Sequence, residues 1–410
     1  FCVGEMYSFL LFVSFFLLHK IKRLGFLNFY TLFLSAFFLV NYLHPVFIYP
    51  NDYFLGAYQF PYDQNMICSG LALAQLGASC FMFGSVCFET DKTSLVTSNP
   101  FSYIKKNNGI LNLSLALCII LCLYVFVILN ATSLTHLYPR LIMLIVALLI
   151  YSFCINFEYR PAVIDTIYNN KKIVFSFFLF SSSLIIIGSR GPIIFLCLSI
   201  FTIIYVYYCR IRFIYILLFL CIGLLFMTII TITRISSVNL LNSDFFDVLV
   251  YGENFLKESD EVIWVLFTDL VVNARNLYDA MSYPFHFDYL FGASYIQNLF
   301  VVIPFAGDFF THLFLGVSAR EVNTGYILTM WNNANYGLGT NMIGDLYMNF
   351  AEYGVLIGMF LLGSLSSICE KCKTINQIFI YIALMANSFY LPRASIFAWM
   401  DIWAFLWIIR

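Results

Sequence analysis

The sequence predicts an all-α polytopic membrane protein with about 11 (11–13) transmembrane helices and one long extracytoplasmic loop. Of its 410 residues, 62% are hydrophobic and 10% are charged, whereas roughly a quarter of the residues in a soluble domain are charged. Apolar runs of membrane length also recur along most of the chain. The net charge of −1 gives no basis for nucleic-acid binding.

Eleven apolar runs are predicted spans, although several are short for a hydrocarbon core of about 30 Å. They lie near residues 3–18, 25–48, 64–88, 109–130, 141–157, 173–188, 191–208, 213–232, 341–366, 375–391 and 394–409. The first lacks a basic n-region, so we expect a span there rather than a signal peptide. The chain then divides into an N-terminal bundle of about eight helices (1–232), a long loop (233–340) and about three C-terminal helices (341–410).

Lysine and arginine in the short connections predict the orientation. Fourteen of the 21 basic residues lie in alternate connections, which places those connections in the cytoplasm. They are Lys20, Lys22, Arg23, Lys92, Lys105, Lys106, Arg160, Lys171, Lys172, Arg210, Arg212, Lys371, Lys373 and Arg410. The outer set is Arg140, Arg190, Arg234, Lys257, Arg275, Arg320 and Arg393. Its bias to arginine predicts bidentate binding of phosphate or carboxylate, with ordinary structural ion pairs as the alternative.

The long loop contains two semi-apolar segments. Residues 261–282 alternate apolar and charged residues at helical spacing, and residues 295–315 are interrupted by Pro304, Gly307 and Asp308. We expect both to lie on or dip into the outer interface of the bilayer; the alternative is a pair of true spans. Aromatic and amide side chains are dense near the end of the loop, which suits sugar rings but is also typical of interfacial belts.

Cysteines and carboxylates give no metal signature. Most of the 12 cysteines lie inside apolar runs, where cysteine serves as a small hydrophobic side chain. Cys369 and Cys372 have CxxC spacing, but no second pair of ligands accompanies them. The outer segments contain neither a Cys/His cluster nor a clear Asp-x-Asp pattern, so the sequence predicts no metal and no cofactor.

The ninth span begins with polar residues on one predicted helix face. Asn341, Asp345, Asn349 and Glu352 are spaced i, i+4, i+8 and i+11. Asp345 is predicted about one turn from the outer surface, and Glu352 about 10 Å deeper. Acidic residues within a span are rare and indicate either function or an ion pair with an outer arginine.

The run GTNMIGDLYMNF at 339–350 resembles the oligosaccharide repeat-unit polymerases, the Wzy-type O-antigen and capsule polymerases of bacteria. The loop stretches YLFGASY (289–295) and VIP (302–304) belong to the same resemblance. SRGP (189–192) is similar to a turn shared with the related O-antigen ligases, whose arginine faces the periplasm. The membrane architecture resembles the family from end to end.

Some positions depart from the family pattern. Asp345 stands where the family usually has Glu, and Ala351 stands where it usually has Gly. Some relatives also have an arginine followed at a fixed interval by glycine in two outer-loop motifs. The nearest pairs here, Arg275–Gly292 and Arg320–Gly337, do not match that interval. Only the general role of outer arginines is therefore expected to apply.

The resemblance implies a GT-C-like glycosyltransferase architecture in the bacterial inner (cytoplasmic) membrane, active at the periplasmic face. A glycan on undecaprenyl pyrophosphate would move to a hydroxyl of a second lipid-linked repeat unit. The expected partners are the undecaprenyl-pyrophosphate-linked oligosaccharide and the lipid bilayer, with a chain-length regulator protein as a further candidate. An O-antigen ligase and a polysaccharide flippase are the alternatives, and the absence of paired halves in the sequence disfavours the flippase.

This chemistry needs a cation for the leaving pyrophosphate and a base for the sugar hydroxyl. The candidate pyrophosphate ligands are Arg190, Arg275, Arg320 and Arg234. Arg190 leads because it lies in the tight turn between the sixth and seventh spans; a salt bridge from Arg190 to Asp345 is the structural alternative. The candidate bases are Asp345, Glu321, His312, His286 and, more weakly, His136.

Overall fold

The computed structural model describes residues 2–22, 28–48, 64–88, 107–128, 138–158, 163–187, 191–204, 273–285, 287–300, 303, 305–334, 337–372 and 374–410. These residues are largely helical and include no strand. The α-helices are α1 (Cys2–Lys22), α2 (Phe29–Asn41), α3 (Gln64–Cys87), α4 (Asn108–Ile128), α5 (Tyr138–Asn156), α6 (Val163–Asn169), α7 (Lys171–Ile187), α8 (Gly191–Ile203), α9 (Asn273–Ser282), α10 (Ile296–Leu299), α11 (Ala306–Leu315), α12 (Thr324–Trp331), α13 (Met342–Glu370), α14 (Ile375–Asn387) and α15 (Met400–Ile409). Short 3₁₀ turns are Tyr283–Phe285, Ala293–Tyr295 and Leu391–Arg393, and a π-helical turn is His44–Ile48.

The helices follow the predicted spans. Each predicted span coincides with an α-helix except 213–232, which lies outside the described residues. Four of the described helical segments are long and apolar enough to cross a membrane, namely Gly4–Lys22, Gln64–Cys87, Asn108–Val125 and Met342–Glu370. Several others are shorter apolar helices. The prediction of an all-α polytopic membrane protein is confirmed, while the number of spans stays a prediction.

The chain forms two compact units. The first comprises residues 1–95 and 267–404, and its centre is the contact between α3 and α13. The second comprises residues 96–266 and 405–410; within it, α4 packs against α5 and α7, and α5 packs against α8. The motif-bearing loop residues that the structure describes all belong to the first unit.

Helices α3 and α13 pack backbone against backbone. A Cβ atom added at Gly84 would collide with the carbonyl of Phe360, and one added at Gly363 would collide with the carbonyl of Phe81. Small residues allow this approach, which is how helices in membranes gain van der Waals contact. The two glycines therefore set the separation of the two central helices.

One end of α13 carries a buried ion pair. Lys22, at the end of α1, is 2% exposed, and its Nζ donates to Glu370 Oε2 at 3.2 Å and to Ser367 Oγ at 3.1 Å. Lys371 Nζ donates to the carbonyl of Phe88 at 2.8 Å. The end of α3, the end of α1 and the end of α13 thus meet at one end of the first unit.

The structure corrects the prediction of a regular ninth span. The backbone of α13 is non-helical at Phe350 (φ −143°, ψ 26°) and at Ala351 (φ 54°, ψ −149°). Asp345 and Asn349 are buried before this break, whereas Glu352 is exposed after it. The prediction that Glu352 shares a face with Asp345 is therefore wrong, because the break ends the helical register between them.

The described residues of the segment 295–315 form short helices, α10 and α11, rather than one long helix. Helix α11 has 10 residues and is about 15 Å long, which is half the hydrocarbon thickness. Its Gly307 and Thr311 are buried, while Phe309, Leu313 and Phe314 are each more than 60% exposed. The alternative in which residues 295–315 form one of a pair of true spans is therefore wrong. In the other segment, only α9 lies among the described residues.

Candidate functional site

The break in α13 is held by the motif residues of the loop. Asn349 Oδ1 accepts a hydrogen bond from the amide of Gly292 at 3.0 Å. Its Nδ2 donates to Ser294 Oγ at 2.8 Å and to the carbonyl of Asp345 at 2.8 Å. One asparagine side chain therefore joins the YLFGASY stretch to the first half of α13, although the two lie more than fifty residues apart in sequence.

Backbone groups complete this junction. The amide of Leu290 donates to the carbonyl of Met348 at 2.9 Å, and the amide of Phe291 donates to the carbonyl of Asn349 at 3.1 Å. A broken helix at membrane depth is tolerated only where other groups satisfy the freed carbonyls. The backbone amides of Leu290 and Phe291 supply those donors, so the surrounding fold stabilises the break.

Asn341 fixes the start of α13. Its Oδ1 accepts from the amides of Ile343 and Gly344 at 3.0 and 3.3 Å, which is N-capping geometry. Its Nδ2 donates to Asn41 Oδ1 at 2.9 Å and to the carbonyl of Asn273 at 3.3 Å. The asparagine of the GTN motif thereby ties α2, α9 and α13 together.

Asp345 connects α13 to α12. The carboxyl is fully buried, and Oδ1 accepts from Thr324 Oγ1 at 2.7 Å. Ser395, Tyr295 and the amide of Ile396 also face it, but Oδ2 makes no hydrogen bond of good geometry with a described residue. Burial, followed by the Asp345 carboxyl, raises the pKa of Tyr295. Since Thr324 is the first residue of α12, Asp345 positions that helix.

An open cleft of about 570 Å³ lies along α12. It is lined by Tyr283, Phe287, Glu321, Tyr326, Ile327, Met330 and Trp331. The ring centroids of Tyr283 and Phe287 are 5.0 Å apart, and Trp331 lies 5.5 Å from Tyr283 and 5.6 Å from Phe287. The cleft therefore has an aromatic wall, and Phe287 is 57% exposed.

Charged groups lie at the rim of this cleft. Glu321 lines it and is exposed, and Arg320 is exposed beside it. The Arg320 guanidinium lies over the ring of Tyr326, 4.5 Å from its centroid, in cation–π geometry. Burial, and to a lesser extent the Asp288 carboxylate, raises the pKa of Tyr283. The phenol therefore stays neutral and can act as a hydrogen-bond donor at pH 7.

The other predicted site residues do not line the cleft. His312 is exposed on α11, and Arg275 is 3% exposed on α9. Arg190 and Arg234, like the histidines at positions 286 and 136, lie outside the described residues. Within the described ranges, no group of three or more His, Cys, Asp or Glu residues could hold a metal ion.

Sequence reasoning missed Thr324 and the individual aromatic residues of the cleft wall. The density of Tyr, Phe and Trp near the end of the loop suggested a sugar-binding surface. It did not distinguish Trp331 and Phe287 from the other aromatic residues of the loop. No sequence pattern marked Thr324, because its partner Asp345 is 21 residues away. Their contact depends on how α12 folds back on α13.

Comparison with known proteins agrees with the motif resemblance. The family model described as O-antigen polysaccharide polymerase Wzy matches residues 2–410, nearly the whole chain. Neither a curated protein nor a solved structure matches the chain. The predicted resemblance is confirmed: this multi-pass membrane protein belongs to the O-antigen polysaccharide polymerase (Wzy) family, the glycosyltransferase-type polymerases of lipopolysaccharide biosynthesis.

Proposed function

We propose that this polymerase transfers a growing glycan from undecaprenyl pyrophosphate to a lipid-linked repeat unit at the periplasmic face of the inner membrane. The bond between the donor sugar carbon and the pyrophosphate oxygen breaks, and a glycosidic bond forms to the acceptor oxygen. The acceptor proton passes to a base, and lipid pyrophosphate leaves. The observation that carries this proposal is the placement of Glu321 and Arg320 together at an aromatic cleft.

Glu321 is the proposed base. A base must come within hydrogen-bond reach of the proton it removes, and Glu321 is the carboxylate that lines the cleft. His312 is exposed on α11 and does not line the cleft. Asp345 is buried and accepts a hydrogen bond from Thr324, so its proposed role is to position α12.

Arginine supplies the positive charge in this proposal. Arg320 lies at the rim of the cleft, while Arg190 and Arg234 stay candidate pyrophosphate ligands on the sequence alone. Guanidinium groups make bidentate, charge-assisted hydrogen bonds to phosphate, so transfer would need no metal. Arg275 is buried on α9, and it would reach pyrophosphate only after a rearrangement of the kind that accompanies closure of an active site.

The contacts at the two ends of α13 support the proposed sidedness. Lys22 and Lys371, both in cytoplasmic connections by the charge rule, lie near the last residues of α13. Asn341 and Asn273, both in the outer part by the same rule, meet at its first residues. The cleft lies in residues 283–331, on the outer part of the sequence by this rule.

The test compares polysaccharide chain length between variants of this protein. Each variant is expressed, at matched membrane abundance, in a strain that lacks the chromosomal gene for the protein. Glu321→Gln keeps the shape of the side chain and removes the basic carboxylate. The polymerisation rate should therefore fall by about 10²- to 10⁴-fold, and the ladder should contain single repeat units only. Arg320→Lys should reduce the rate by about 10- to 150-fold, because the charge remains but the bidentate fork is lost.

Glu352→Gln is the matched control. It makes the same chemical change at an exposed position beyond the break in α13, and its ladder should equal that of the wild type. A wild-type ladder from Glu321→Gln would remove Glu321 from the mechanism. If Asp345→Asn alone abolished polymerisation at normal abundance, the base would be Asp345 instead.

A further inference from the structure

The aromatic wall of the cleft has no role in the transfer step itself. Phe287 and Met330 are 57% and 58% exposed, and Trp331 packs against both members of the stacked pair Tyr283 and Phe287, at centroid distances of 5.5 and 5.6 Å. Exposed aromatic side chains on a predicted extracytoplasmic segment lose contact with water when a ligand covers them, which favours binding. The wall is therefore available to a ligand.

The mixture of groups indicates what kind of ligand fits. A lipid tail fits poorly, because covering Glu321 with hydrocarbon would bury a charge that has no described ion-pair partner. A pyranose ring fits better: its C–H face covers an aromatic ring, while its hydroxyls project from the edge and donate to a carboxylate. Glu321 and the neutral Tyr283 offer the acceptor and donor that such an edge needs.

We propose that this cleft binds a pyranose sugar of the acceptor repeat unit, with the more exposed Phe287 against the ring face, Trp331 at the edge of the sugar and Glu321 at the hydroxyl that is to be glycosylated. The proposal rests on the proposed function, because it assigns the acceptor rather than the donor to the side of the base. Arg320, held over Tyr326, lies at the rim where the donor pyrophosphate would approach. Asp345 keeps the cleft in shape through Thr324 at the start of α12.

The test measures sugar binding apart from catalysis. Purified protein in nanodiscs is titrated calorimetrically with the lipid-free repeat-unit oligosaccharide released from the polysaccharide of the host strain. Trp331→Ala and Phe287→Ala should each weaken the Kd by about tenfold, and Trp331→Phe should stay within about threefold of the wild type. Phe309→Ala, which removes an exposed aromatic ring from α11 outside the cleft, should bind like the wild type.

The outcomes separate this proposal from the proposed function. Glu321→Gln should weaken the Kd by about tenfold at most, because the Gln amide oxygen still accepts the hydroxyl hydrogen bond without the charge, while the variant fails to extend the oligosaccharide. Unchanged Kd values in both Trp331→Ala and Phe287→Ala, or displacement of the sugar by farnesyl phosphate, would overturn the sugar site. If binding follows the prediction but Glu321→Gln polymerises normally, the sugar site stands and the assignment of the base fails.

Discussion

At the scale of the residue, Ala351 is the most unusual position in α13. Its φ of 54° with ψ of −149° lies close to a region that essentially only glycine adopts without strain. The related polymerases usually have glycine at this point, as the motif resemblance implied. The backbone break thus gives a physical reason for that glycine, and Ala351 holds the same break at a cost of about 1–3 kcal/mol.

Replacing Ala351 by glycine should therefore stabilise the protein. Relief of strain exceeds the extra chain entropy of glycine, about 0.5–1 kcal/mol, so we expect a net gain of about 1 kcal/mol and a Tm higher by about 1–3 °C. Thermal unfolding of the detergent-purified protein measures it. Ala116→Gly on the exposed face of α4 is the control and should lower the Tm. A lower Tm for Ala351→Gly would mean that the methyl group packs usefully.

The polar residues of the ninth span show how far a sequence reaches at this scale. Periodicity grouped Asn341, Asp345 and Asn349, and the structure buries all three at or after the start of α13 and before its break. It was wrong for Glu352, since an alanine in a glycine-like conformation leaves no mark in a hydrophobic pattern. The contacts of Asn349 with Gly292 and Ser294 could not be predicted from the sequence either, because they depend on how the loop docks on α13.

At the scale of the element, α11 is too short to cross the bilayer yet exposes apolar side chains. Phe309 and Leu313 project on the face opposite buried Gly307 and Thr311, and Phe314 is also exposed near the end of the helix. Such a helix gains free energy by lying in the interface with its apolar face in the acyl region. The breaks at Pro304, Gly307 and Asp308 led to the same expectation from the sequence, and the placement of α11 in the interface stays a prediction.

Spin labels should report that α11 lies in lipid. A nitroxide on Phe309→Cys or Leu313→Cys, in a background without native cysteines and in liposomes, should collide more with oxygen than with a polar nickel chelate. The control is Asp288→Cys, an exposed polar position near the cleft, where the chelate should dominate. Equal access of the chelate at Phe309 and Asp288 would place α11 in water.

At the scale of the whole molecule, composition and hydropathy were sufficient to predict the class, an all-α membrane protein. Every transmembrane helix must satisfy its own backbone hydrogen bonds and expose an apolar surface to lipid. The locations of the described helices that coincide with predicted spans were predictable for the same reason. The cleft was not, since it forms where three separate parts of the loop meet: the 3₁₀ turn at 283–285, Glu321 and α12.

The predicted orientation can be checked within the first unit. With an impermeant maleimide on intact spheroplasts, Asp288→Cys should be labelled and Lys20→Cys should react only after lysis, because loop charges place them on opposite sides of the membrane. Both side chains are exposed. Labelling of Lys20→Cys but not of Asp288→Cys in unbroken cells would invert the assignment and place the cleft in the cytoplasm.

The ion pair between Lys22 and Glu370 joins residues that are 348 positions apart in the chain. A ribosome that adds about 5–20 residues per second needs on the order of 20–70 s to travel from one to the other. During that time Lys22 cannot form its ion pair with Glu370. The end of α1 is therefore held by this ion pair only after α13 has been synthesised, and a chain that stops short of Glu370 lacks this link.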